Sequence, residues 1–208
     1  MTNQAGLREA LGDVRRAYRL LWCYQDRLFD IIRAIAGEFD SLKFYVWQPN
    51  SAARIDGTTN PLTRSPWFAF PMMNVSYLYR SGDDPNYAKA GDWLLDIRVI
   101  SDSGFDDSND SRLTADPDDF PGIEATSSRI NLYAFYFVGD IKGNLLRDVW
   151  NQLEWPATNG EVGEPTTHSV RTLGMTFDIA ELGDKDAVLA ATRTFKNTAS
   201  AAFGAVLS

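Results

Sequence analysis

Apolar positions along the first forty residues recur at alternating spacings of four and three: Leu7, Leu11, Val14, Tyr18 and Leu21, then Leu28, Ile32, Ile35 and Phe39, with only Gln25 interrupting. That spacing predicts one helix of roughly nine turns, about 50 Å long. Ala10, Ala17, Trp22, Tyr24, Phe29, Ile31 and Ala36 flank the stripe and widen the apolar face beyond a two-stranded seam. The charges that would pair neighbouring strands of a coiled coil are mostly missing from those flanks. The expectation is therefore a helix lying along its own sheet, with a homodimer contact through the same helix as the second reading.

After Gly37 the pattern turns to strands. Leu42 to Gln48 is rich in aromatic and β-branched residues and stops at Pro49; Trp67 to Arg80 is a second strand region, divided by Pro71. Asp92 to Ser101 alternates, with Trp93, Leu95, Ile97 and Val99 on one side and Asp92, Asp96 and Arg98 on a side expected to be partly wet. Arg129 to Val138 is apolar on both faces, as for a central strand, and Ser169 to Ile179 supplies a fifth strand. Leu145, Leu146, Val149, Trp150 and Leu153 predict a short amphipathic helix, followed by a polar, glycine-bearing loop at 159–165. Asp184 is placed to cap a final helix whose inward stripe is Val188, Ala191, Phe195, Ala199, Ala202 and Val206.

Strands joined mainly by loops favour antiparallel pairing. The predicted fold is a single α+β domain over residues 1–208: a mainly antiparallel sheet of about five strands, with the long N-terminal helix, the short helix and the C-terminal helix packed on it. The N-terminus lacks a basic segment followed by an apolar run, and no apolar stretch approaches the ~20 residues of a membrane span, so a soluble cytoplasmic protein with no membrane partner is expected. Cys23 is the one cysteine, expected as a buried, inert thiol within the first helix. With His168 as the one histidine, there are too few soft ligands for structural zinc, and no cofactor motif is present.

Charge changes this picture in one place. Gly82 to Asp119 holds eleven aspartates against three basic residues, which equals the whole formal charge of −8. Within it, residues 102–120 form a long acidic loop. Asp106 could open a calcium loop with Ser108 and Asp110, but Ser111 stands where glycine is needed and Pro117 where a bidentate glutamate is needed, so no metal is assigned. Asp102, Asp106, Asp107, Asp110, Asp116, Asp118 and Asp119 are instead the candidate contacts for a basic protein surface, and imitation of a nucleic-acid backbone is an extension of that reading. Direct nucleic-acid binding is disfavoured, because phosphate contacts come from basic side chains.

The leading functional expectation is therefore a non-enzymatic binding or regulatory protein. A second is a Mg²⁺-dependent phosphodiesterase of nuclease type, with Asp118 and Asp140 as metal carboxylates, Lys142 orienting the water and Glu124 as a further carboxylate. The third is a small-molecule sensor. Tyr45, Trp47, Trp67, Phe68, Phe70, Tyr77, Tyr79, Tyr133, Phe135 and Phe137 exceed what one sheet face needs, so some could line a pocket, while a large aromatic core is the alternative.

Overall fold

The computed structural model describes residues 4–50, 62, 66–70, 72–107, 116–163, 169–205 and 207. His168 and Asp110 lie outside these residues, as do the side chains of Phe68, Asp106 and Asp107. Helix α1 (Gln4–Ala36) leads into β1 (Lys43–Pro49), β2 (Asn74–Arg80), β3 (Tyr87–Ala88) and β4 (Trp93–Ile100). Then come α2 (Ser103–Asp107), β5 (Arg129–Phe137), β6 (Ile141–Lys142), β7 (Asn159–Gly163), β8 (Val170–Asp178) and α3 (Lys185–Phe203). The predicted short helix at 145 is a π-turn, Leu145–Val149, running into a 3-10 turn, Trp150–Gln152.

The main sheet has the order β1-β2-β4-β5-β8-β7, antiparallel throughout, while β3 and β6 form a separate two-stranded ribbon. It has six strands rather than the expected five. The extra one, β7, falls in the stretch expected to be a loop; Gly160 has a left-handed φ of 78°, which breaks the alternation by which a strand is recognised.

Both faces of the sheet are covered. On one, Val75, Leu95, Ile97, Val99, Ile130, Leu132 and Leu173 pack against Leu28, Ile31, Ile32 and Ile35 of α1 and Val188, Phe195 and Ala199 of α3. On the other, Leu78, Leu94, Phe135, Phe137 and Val170 meet Ala88, Ile141 and the turn residues Leu145, Val149 and Trp150. All eight residues of β4 are therefore buried, which corrects the expected wet side. Helix α3 starts where predicted: the Asp184 carboxylate accepts from the Ala187 amide at 2.9 Å, and Gly204, at φ 67°, closes it.

Helix α1 does not lie along the sheet for its whole length. At 33 residues it is about 50 Å long, whereas six strands side by side span only about 24 Å and nine extended residues about 30 Å. Among the described residues its side-chain hydrogen bonds to the body begin at Tyr24, whose hydroxyl donates to Ser101 Oγ at 3.1 Å, and Arg27, which donates to the Leu182 carbonyl at 2.8 Å. From Leu7 to Cys23 every residue except Gly12 is exposed. Cys23 is thus on the surface, against expectation, because its turn of the helix stands beyond the sheet.

Phe195 is completely buried between α3 and the sheet, so Phe195→Ala should lower the unfolding free energy by about 3 to 5 kcal/mol in urea titration. A loss under about 1 kcal/mol would contradict this packing.

Candidate functional site

The residues singled out from the sequence do not gather at one place. The Asp102 carboxylate accepts from the Gly104 amide at 2.9 Å, and Asp116 accepts from the Asp118 amide at 3.0 Å, so both stabilise local turns. Asp116, Asp118 and Asp119 are exposed around a 3-10 turn, with exposed Glu124 on the next such turn. Asp140 lies at the β3–β6 ribbon, where it accepts from the Tyr87 hydroxyl at 2.6 Å and the Ala90 amide at 3.0 Å; these bonds hold its pKa below the usual carboxylate value. Lys142 is exposed on the same ribbon. Among the described residues no three Asp, Glu, His or Cys side chains are grouped so as to hold a metal ion.

Buried polar chemistry converges elsewhere, on the second sheet face. Three adjacent strands each carry a polar–apolar–polar triplet: Asn74-Val75-Ser76, Asp96-Ile97-Arg98 and Asn131-Leu132-Tyr133. The antiparallel register sets Ser76 opposite Arg98 and Arg98 opposite Asn131, with Asp96 opposite Tyr133 in the next row. These triplets were visible in the sequence. By alternation alone Asp96 falls with Asp92 on a side that reads as wet, and only the strand register shows what surrounds it.

Asp96 is fully buried. Its Oδ2 accepts from Trp150 Nε1 at 3.0 Å and from Ser76 Oγ at 3.2 Å. Arg98 donates through Nε to Asn74 Oδ1 at 2.9 Å, and its guanidinium lies 4.5 Å over the ring of Trp155. Asn50 donates to both Asn74 Oδ1 and Ser76 Oγ, at 3.2 and 3.0 Å. Asn131 Nδ2 donates to the Tyr133 hydroxyl at 2.9 Å. Two buried oxygens in this island, Asp96 Oδ1 and Asn131 Oδ1, have no hydrogen-bond partner. The aromatic rings of Tyr133, Trp150 and Trp155 close over it, with centroids 4.9 Å and 5.4 Å from that of Trp155. Gly174 makes that closure possible, since a Cβ there would stand 2.7 Å from the Ala157 carbonyl oxygen and 2.8 Å from the Tyr133 ring.

Opposing effects act on the Asp96 proton. Burial raises its pKa, while the bonds from Ser76 and Trp150 and the charge of Arg98 lower it; burial wins, and the value is pushed up to about 7. The carboxyl can therefore hold or release a proton near neutrality. The folded protein keeps this proton over a range in which the unfolded chain, near its ordinary value of 3.8, has lost it. Stability from this group is therefore full below about 4 and falls as pH rises toward about 7. Asp96→Asn should flatten the stability curve between those values, measured by urea unfolding at a series of pH values; an unchanged slope would contradict the burial of the charge.

Among the described residues no helix is long and apolar enough to cross a membrane. The family model described as PM0109 matches residues 4–204. An uncharacterized protein PM0109 of Pasteurella multocida (strain Pm70) is 24% identical over 204 residues, covering 93% of this chain and 94% of that relative. No solved structure matches. The matched span runs from the first residue of α1 to the glycine that closes α3, so it takes in the projecting half of α1 as well as the sheet, and the chain belongs to the PM0109 family.

Proposed function

We propose that this protein is a non-enzymatic binding or regulatory protein that works by docking against other protein surfaces. The observation that carries the reading is the projecting half of α1. Leu7, Leu11, Val14, Tyr18, Leu20, Leu21 and Trp22 are each 42 to 71% exposed on a single helix. Large apolar side chains clustered in this way on a soluble surface mark a contact site.

The second surface is acidic. Asp116, Asp118, Asp119 and Glu124 are exposed within nine residues that hold no basic side chain. They suit a basic protein partner, attracted over distance and sensitive to salt. The small-molecule reading keeps one observation in its favour, the two unpartnered oxygens beneath Trp155; a ligand donating hydrogen bonds to Asp96 and Asn131 would satisfy them.

Cross-linking followed by mass spectrometry, with the full chain as bait in its own cells, tests the docking reading. A bound protein should be captured by the wild type and weakened by Leu11→Asp with Val14→Asp, or, in a salt-dependent way, by Asp116→Asn, Asp118→Asn and Asp119→Asn together. Capture that is equal for all three baits would overturn it.

A further inference from the structure

We propose that the occupant of the exposed α1 stripe is a second copy of this chain, its arm lying antiparallel along the first. The inference rests on the reading of α1 as a contact surface and goes further by naming what it contacts.

The spacing of the arm fits this occupant. Leu7, Leu11, Val14, Tyr18 and Leu21 alternate by four and three and continue through Gln25 into the buried Leu28, Ile32 and Ile35. A sustained average of 3.5 residues keeps a seam turned toward a partner helix. Size is of the right order. Leu20 points to the opposite side of the helix, and the other six exposed large side chains, offering on the order of 100 Å² each, give roughly 600 Å² per copy against the ~800 Å² per partner of a standard interface. An arm of about twenty residues with Gly6 and Gly12 within it is only marginally helical alone in water, and pairing supplies the tertiary contact it otherwise lacks.

The direction follows from the body. Beyond Leu28 the stripe faces its own sheet. In a parallel pair the sheet of each copy would therefore stand where the other helix must continue, so the two bodies would collide. In an antiparallel pair each arm ends where the other body begins. One register seats every stripe residue: Leu7 against Gln25, Leu11 against Leu21 and Val14 against Tyr18, each taken twice. It brings the tip, Leu7, to an apolar groove of about 200 Å³ at the base of the other arm, lined by Tyr18, Leu21, Tyr24, Phe70, Met72 and Met73. On one flank Ala17 meets Ala17 across the two-fold axis, and these small side chains let the helices approach closely. On the other flank Arg8 reaches Trp22, a cation–π pairing. The same flank sets Arg15 against Arg15 across the axis, a like-charge contact that salt screens, so the pairing rests on apolar contact rather than on charge.

Sedimentation of the full chain, combined with cysteine cross-linking, decides the matter. The wild type should sediment at twice the chain mass at micromolar concentration. Leu11→Asp with Val14→Asp should sediment as a monomer with its sheet intact by circular dichroism, since both positions are exposed in the single chain. With Cys23→Ser in place, Ala17→Cys should form an interchain disulfide and Ala10→Cys should not, because position 10 faces Tyr24 in this register. A dimer that survives the double aspartate variant overturns the proposal, as does cross-linking through position 10 in preference to 17. A wild-type monomer also overturns it: if that monomer captures a different protein through the arm, the docking reading stands without self-pairing, and if it binds vesicles of anionic phospholipid instead, the occupant is a membrane surface and both fall.

Discussion

The apolar stripe of α1 is longer than the sheet beneath it, and much of the molecule follows from that mismatch. Sheet width and strand length allow at most about 24 to 30 Å of helix contact, and the last third of α1, with Leu28, Ile31, Ile32 and Ile35, takes about 16 Å of it. That buried segment, packed against α3 and the sheet, directs the remaining turns outward. The same side-chain pattern is therefore core at one end and surface at the other.

A second constraint acts inside the sheet. The face turned away from α1 is apolar at the end covered by the ribbon and the 145–152 turns, and polar where Asn74, Ser76, Asp96, Arg98 and Asn131 lie. Burying a carboxyl there costs more than Ser76, Trp150 and Arg98 return, and the cost appears as a proton retained toward neutral pH. An apolar residue at 96 would avoid this cost. The carboxyl at 96, with unpartnered oxygens on both Asp96 and Asn131, leaves polar groups in this island without the bonds that burial demands.

Much of this was legible in the chain. The register of α1, the cap at Asp184, the strand cores and the α+β class all follow from periodicity and turn chemistry. What escaped depended on distance in space. Helical spacing identifies the side that wants burial, yet says nothing of how far the sheet extends beneath it, so Cys23 read as buried and the arm as packed. β7 was hidden by Gly160 and Gly163, which carry no side chain to alternate. Asp96 counted as one more acid in a run of eleven; only the pairing that sets it among Leu78, Tyr133 and Trp150 separates it from its exposed neighbours. The candidate site was legible only as three triplets whose alignment the sequence alone does not fix.

The division of α1 into an anchored and a projecting half is open to hydrogen exchange read by mass spectrometry at two protein concentrations. Amides from Arg27 to Ala36 should be strongly protected at both, because they belong to the core, whereas those from Arg8 to Trp22 should be protected at high concentration and exchange rapidly on dilution. Uniform protection along the whole helix, independent of concentration, would show that the arm is stable without a partner and would contradict the division.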